Sequence, residues 1–175
     1  MKRILFVFLL FVFFPLLVGA FPLQAETYRS HQYGFSIDIP NDWSRTQPKS
    51  AKTLFSYAKM GSGENLNFNV FDAEGLTSIK QISPQQMFHP IYDSIRISRK
   101  NYEMQNGSEI LKCIYTIKDR KLKRRLEGKY DLKYFTVSWI KNGKQFTATF
   151  TDSKAAFNDN LASFESIIES IEFLK

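Results

Sequence analysis

From residue 35 onward the chain alternates mostly with a period of two. Phe35, Ile37 and Ile39 alternate with Ser36 and Asp38 up to Pro40, which predicts a short strand. Thr53 to Lys59 predicts a second, with Phe55 and Tyr57 on one face, and Gly61-Ser62-Gly63 a turn after it. Asn65 to Phe71 alternates strictly: Leu66, Phe68 and Val70 point one way, Asn65, Asn67 and Asn69 the other. Such a segment is a strand buried on one face and wet on the other.

The pattern then changes. Ser83-Pro84 is an N-cap and first-turn pair, and Phe88, Ile91, Tyr92 and Ile95 recur at helical spacing, so a helix is expected here, kinked or shortened at Pro90. Period two returns in Glu109 to Lys118, Leu132 to Lys141 and Lys144 to Thr151. Asn142-Gly143 between the last two is a two-residue hairpin signal. It sets the register: Trp139 opposite Phe146, Val137 opposite Ala148, Phe135 opposite Phe150, all on one face. The other face carries Tyr134, Thr136 and Ser138 against Thr147, Thr149 and Thr151. From about Ser153 to Ser170 the stripe Phe157, Leu161, Phe164, Ile168 and Ile171 predicts a closing helix, capped by Asp152 or Ser153. Phe173 is expected in a last short strand.

The fold class is therefore α+β, an antiparallel sheet with helices on its apolar face. Its second face, rich in Asn, Ser and Thr, is either open to water or covered by something polar.

Tyr33-Gly34-Phe35-Ser36-Ile37-Asp38-Ile39-Pro40-Asn41-Asp42-Trp43 resembles the opening of the PsbP-like family, in which a glycine-aromatic strand ends in Pro and, shortly after, Trp. Asn65 to Val70 is similar to that family's next strand, Ser83-Pro84 with Phe88 to its helix start, and the Asn142-Gly143 hairpin with its following helix to its end. The resemblance implies an α-β-α sandwich whose sheet binds something. It implies no particular activity, because members of one fold do different work. The Asn- and Thr-lined face also departs from a sheet thickly covered on both sides, which puts a complete second helical layer in question.

The first residues are of another kind. Met1-Lys2-Arg3 precedes an apolar run from Ile4 to Ala20, the layout of a secretory signal, with small-residue cleavage points ending at Ala20 or Ala25. Residues 1–25 are thus expected to be a signal peptide, or alternatively a membrane anchor, and residues 26–175 a single domain, exported to the periplasm or the extracellular space. Removing 1–25 leaves 22 Lys and Arg against 17 Asp and Glu, a net charge of +5. That is mild for a nucleic-acid binder, and nucleic acid is not an expected partner. Cys113 is the only cysteine, so stability comes from the core rather than from a disulfide; in its apolar strand it reads as a buried, inert thiol.

Catalytic chemistry finds little purchase. His31 and His89 are the only histidines and lie in different segments, so no metal or cofactor site is expected. Neither a nucleophile elbow nor a phosphate-cradling loop is present, and the carboxylates are scattered. Trp43 reads as a core plug and Asn106-Gly107-Ser108 as a turn. Two features remain. Lys118 to Arg125, with Lys121, Lys123, Arg124 and Arg125, reads as a solvated loop or as a docking site for an acidic partner, anionic lipid headgroups or cell-wall polymer. Asn65, Asn67, Asn69, Thr147 and Thr149 line either a plain wet sheet face or a shallow groove for a peptide, provided their strands are neighbours. The expected function is a non-enzymatic binding or accessory protein engaging a partner protein or peptide in the cell envelope. The alternative is a carrier or sensor of a small amphiphile held between the sheet and the helix around Phe88 and Tyr92; a hydrolase ranks third.

Overall fold

Two antiparallel sheets and the helices between and beside them carry the fold. The computed structural model describes residues 25–48, 50–128 and 130–174; the expected signal or anchor falls almost wholly outside them. The elements run β1 (Ala25–Ser30), β2 (Phe35–Pro40), β3 (Trp43–Thr46), β4 (Thr53–Lys59), β5 (Asn65–Asp72), α1 (Pro84–Met87), β6 (Ile95–Gln105), β7 (Ser108–Ile117), α2 (Arg120–Glu127), β8 (Leu132–Lys141), β9 (Lys144–Ser153), α3 (Phe157–Glu169) and β10 (Glu172–Phe173), with 3-10 turns at Ile79–Gln81 and Tyr92–Ser94. Seven strands form one sheet in the order β3-β4-β5-β9-β8-β7-β6, and β1-β2-β10 a smaller one.

The hairpin has the register its turn dictates. Lys141 faces Lys144, Trp139 faces Phe146, Val137 faces Ala148 and Phe135 faces Phe150. Asn142 and Gly143 both have positive φ, 50° and 71°, as the tight turn of a right-twisted hairpin requires.

One face of the large sheet meets the small sheet and α3. Phe35, Phe55, Phe68, Phe146 and Trp139 fill the space between, Phe68 stacking on Phe35 and Phe55 at 4.9 and 4.8 Å. Burial of each such ring contributes about 1.5–3 kcal/mol. Trp43 is 5% exposed and edge-on to Phe164, which makes it the plug its position suggested. α3 is tied down by polar contacts as well: the Asn160 amide donates to both Glu64 (3.0 Å) and Asp152 (2.8 Å), two buried carboxylates.

The opposite face is only half covered. Ile79, Ile82, Phe88, Ile95 and Leu122 close a second core over Leu111, Cys113, Tyr115 and Ile117 of β7.

Four expectations need correction. The helix expected through Phe88, Ile91, Tyr92 and Ile95 is a single turn ending at Met87; the His89-Pro90 bond is cis, Tyr92–Ser94 is a 3-10 turn, and Ile95 opens β6. Proline has no N–H to continue the helix, and the apolar residues reach the core from turns. The basic segment is a helix rather than a loop, α2, begun by Asp119, whose carboxylate accepts from the Leu122 N–H at 2.7 Å. β1, β3 and β6 were not expected at all. α3 starts at Phe157 with no side-chain cap at Ala156; Ser153 instead accepts from the Ala156 N–H at 3.2 Å.

Candidate binding face

The condition for a continuous polar face is met, because β5 and β9 are direct neighbours, with Asn67 opposite Thr149 and Asn69 opposite Thr147. Register carries the rows further. One runs Ser56, Asn67, Thr149, Thr136, Cys113 across β4, β5, β9, β8 and β7; the next runs Thr53, Asn69, Thr147, Ser138, Leu111. Each row is polar at one end and apolar at the other.

The helical layer follows that gradient. Its described members pack on β7 and β8, where the rows turn apolar. Met87 marks the margin, its sulfur accepting from the Ser138 hydroxyl at 3.8 Å. Beyond it Asn65, Asn67, Asn69 and Thr149 are half-buried floor.

The floor is held sideways by its own hydrogen bonds. Ser56 donates to Asn67 at 2.7 Å and Thr53 to Asn69 at 2.7 Å, while Thr136 pairs with Thr149 at 3.2 Å and Ser138 with Thr147 at 3.0 Å. These bonds fix rotamers before any ligand arrives and leave a low, flat surface of amides and hydroxyls.

At one end the face deepens into an open trough of about 750 Å³, with Lys52, Phe71, Gln86, Met87, His89 and Gln145 among its walls. Phe71 and Gln145 are opposite each other and two residues beyond Asn69 and Thr147, so trough and floor are one surface. Lys52 Nζ lies 5.4 Å from the centre of the Phe71 ring. This trough was not foreseen; only the pairing of β5 with β9 brings its walls together, and no local motif marks it.

The space reserved for an amphiphile is otherwise used. Phe88 is edge-on to Tyr115 at 4.8 Å, and Tyr115 stacks on Tyr134 at 4.9 Å. Burial pushes the Tyr115 hydroxyl up to about 12 and raises that of Tyr134 as well.

Of the basic residues, Lys121, Arg124 and Arg125 are exposed along α2, and Lys123 is paired with Asp131 at 2.5 Å. The sheet floor and α2 are separate surfaces. His31 and His89 are exposed and far apart in sequence, and no group of three metal-ligating residues occurs among the described residues. Cys113 is fully buried, its thiol pushed up to about 11 by burial. No helix among the described residues is long and apolar enough to cross a membrane.

No known family profile and no curated protein matches the chain. Solved structures do. It is similar to cyanobacterial PsbP (CyanoP) from Synechocystis sp. PCC 6803, with a TM-score of 0.68 and 12% identity over 89% of this chain and 95% of that one. The Ran-binding protein Mog1p of Saccharomyces cerevisiae gives 0.58 and 7% over 87% and 97%. LpqN, involved in cell envelope biogenesis of Mycobacterium tuberculosis, gives 0.54 and 11% over 87% and 91%. Identities this low speak for architecture and not for activity: the chain has the PsbP/Mog1-like fold.

Proposed function

We propose that this protein is a non-enzymatic accessory protein of the cell envelope that binds an extended segment of a partner protein on the open polar half of its sheet. The observation that carries the reading is the half-built helical layer, which stops at Met87 and leaves Asn67, Asn69 and Thr149 as a pre-ordered floor leading into the trough, with Thr147 itself buried. Amides and hydroxyls both donate and accept, so a peptide backbone is satisfied there in several registers, and short side chains raise no steric barrier. The fold supports the reading by analogy: Mog1p is a Ran-binding protein and LpqN takes part in cell envelope biogenesis. The cationic and apolar opening of the chain supports export.

A photo-reactive residue at position 67 or 149 of the full chain, in its native cells, tests this. Cross-linking to one envelope protein from both positions, and none from position 159 on α3, is expected. Adducts that are the same from position 159 sink the proposal. Thr149→Trp, which fills the floor, is expected to abolish the specific adduct formed from position 67.

A further inference from the structure

We propose that the outer arc of α2 docks on an anionic lipid surface. The segment sorts its charges by sign. Asp119 is engaged as the cap of the helix. Glu127 is buried and accepts from the Leu132 N–H at 3.1 Å and the Tyr134 hydroxyl at 3.3 Å. Lys123, on the side of the helix away from that arc, is neutralised by Asp131 and Glu127. What faces outward is of one sign: Lys118, Arg120, Lys121, Arg124 and Arg125 are exposed, and among the described residues none of the five has an ion-pair partner.

Geometry makes that arc flat and uniform. At about 100° per residue, Lys121, Arg124 and Arg125 fall within roughly 100° of the helix circumference, opposite the arc of Leu122 and Glu127. Leu126, although 53% exposed, lies on the other side of the helix circumference and outside that arc. A convex arc offers placed carboxylates of a protein partner little to register on. A lipid surface needs no such register, because its negative potential is laterally continuous. Either reading of residues 1–25, cleaved signal or anchor, also brings the chain to a membrane. The proposal does not depend on the peptide reading, since the sheet floor is a different surface.

Residues 25–175, which contain every described strand of both sheets, are the protein to test, because an attached apolar run would bind vesicles by itself. Cosedimentation with mixed phosphatidylglycerol and phosphatidylcholine vesicles is expected, with none on phosphatidylcholine alone and release as salt is raised. Replacing Lys121, Arg124 and Arg125 by Gln is expected to weaken partitioning on the order of a hundredfold, at about one kcal/mol per charge, with an unchanged thermal melt. Leu126→Ala, on the side of the helix away from that arc, is expected to leave partitioning unchanged. A control with the same loss of charge elsewhere, Arg29, Arg45 and Arg99 to Gln, is expected to retain most of the binding. Equal loss in the control overturns the assignment to α2. Binding by the α2 variant at the original level, or binding to soluble polyglutamate but not to vesicles, overturns the lipid surface as the occupant, the latter in favour of an acidic protein.

Discussion

Tyr115 and Tyr134 lie ring on ring across β7 and β8, centroids 4.9 Å apart and planes 7° from parallel. The pair marks the seam of the sheet face, with Phe88 against one ring and the buried carboxylate of Glu127 on the hydroxyl of the other. Tyr134→Phe keeps the stack and removes the donor. Glu127 then stays buried with one donor fewer, and a loss of about 1–3 kcal/mol is expected in urea unfolding. A loss near zero shows that the hydroxyl is not what holds the end of α2.

High pH is expected to act on the same core. Cys113 rises from 9.0 to about 11 and Tyr115 from 10.0 to about 12, both through burial. The folded state therefore holds these protons more tightly than the unfolded chain. Their contribution is complete below pH 9 and is lost between 9 and 11 for the thiol, and between 10 and 12 for the phenol. Unfolding curves taken across pH 8 to 11 are expected to show falling stability, with a shallower fall in Cys113→Ala. At pH 8 the native thiol is expected to resist alkylation until denaturant is added.

Phe68 sits where the two sheets and the hairpin meet, fully buried against Phe35, Phe55 and Trp139. Phe68→Ala removes that hub and is expected to destabilise by about 3–5 kcal/mol. Phe71→Ala, three residues on at the trough, is expected to cost far less, and comparing their denaturant midpoints checks both.

Gly143 is the place to measure backbone strain alone. Its φ is +71°, and a Cβ built there meets nothing within 4 Å. Gly143→Ala therefore has no clash to relieve and is expected to cost about 1 kcal/mol from the left-handed conformation. A thermal shift well beyond that points to a role for the turn other than conformation.

What could be read in the chain follows from how much local chemistry each element carries. The β8–β9 hairpin was legible to the residue because a two-residue turn and a hydrophobic alternation demanded the same register. The polar rows followed from β5 and β9 separately, though only the fold could put them side by side. α2 was misread as a loop because Leu122 is its only buried apolar residue, yet Asp119 before it and Gly128 after it are a cap and a stop. β6 was hidden by being an edge strand: Arg96, Ser98, Arg99 and Lys100 are exposed, and a bulge between Ile97 and Arg99 breaks the alternation. Around Phe88 the opposite error arose. Residues that share a core without sharing a helix happened to fall at helical spacing across Pro90. The trough left no trace in any single segment.

The small sheet has a consequence for how the protein folds. β2 is paired on one side by β1 and on the other by β10, Ser36 facing Glu172, and the Leu174 N–H donates to the Gly34 carbonyl at 2.9 Å. Almost the whole domain therefore lies between two strands that must meet. Until residues 172–174 join it, β2 keeps one edge unpaired and the aromatic core it packs against stays open at that side. Closing the small sheet is thus a long-range event, joining Ser36 to Glu172 across most of the described chain.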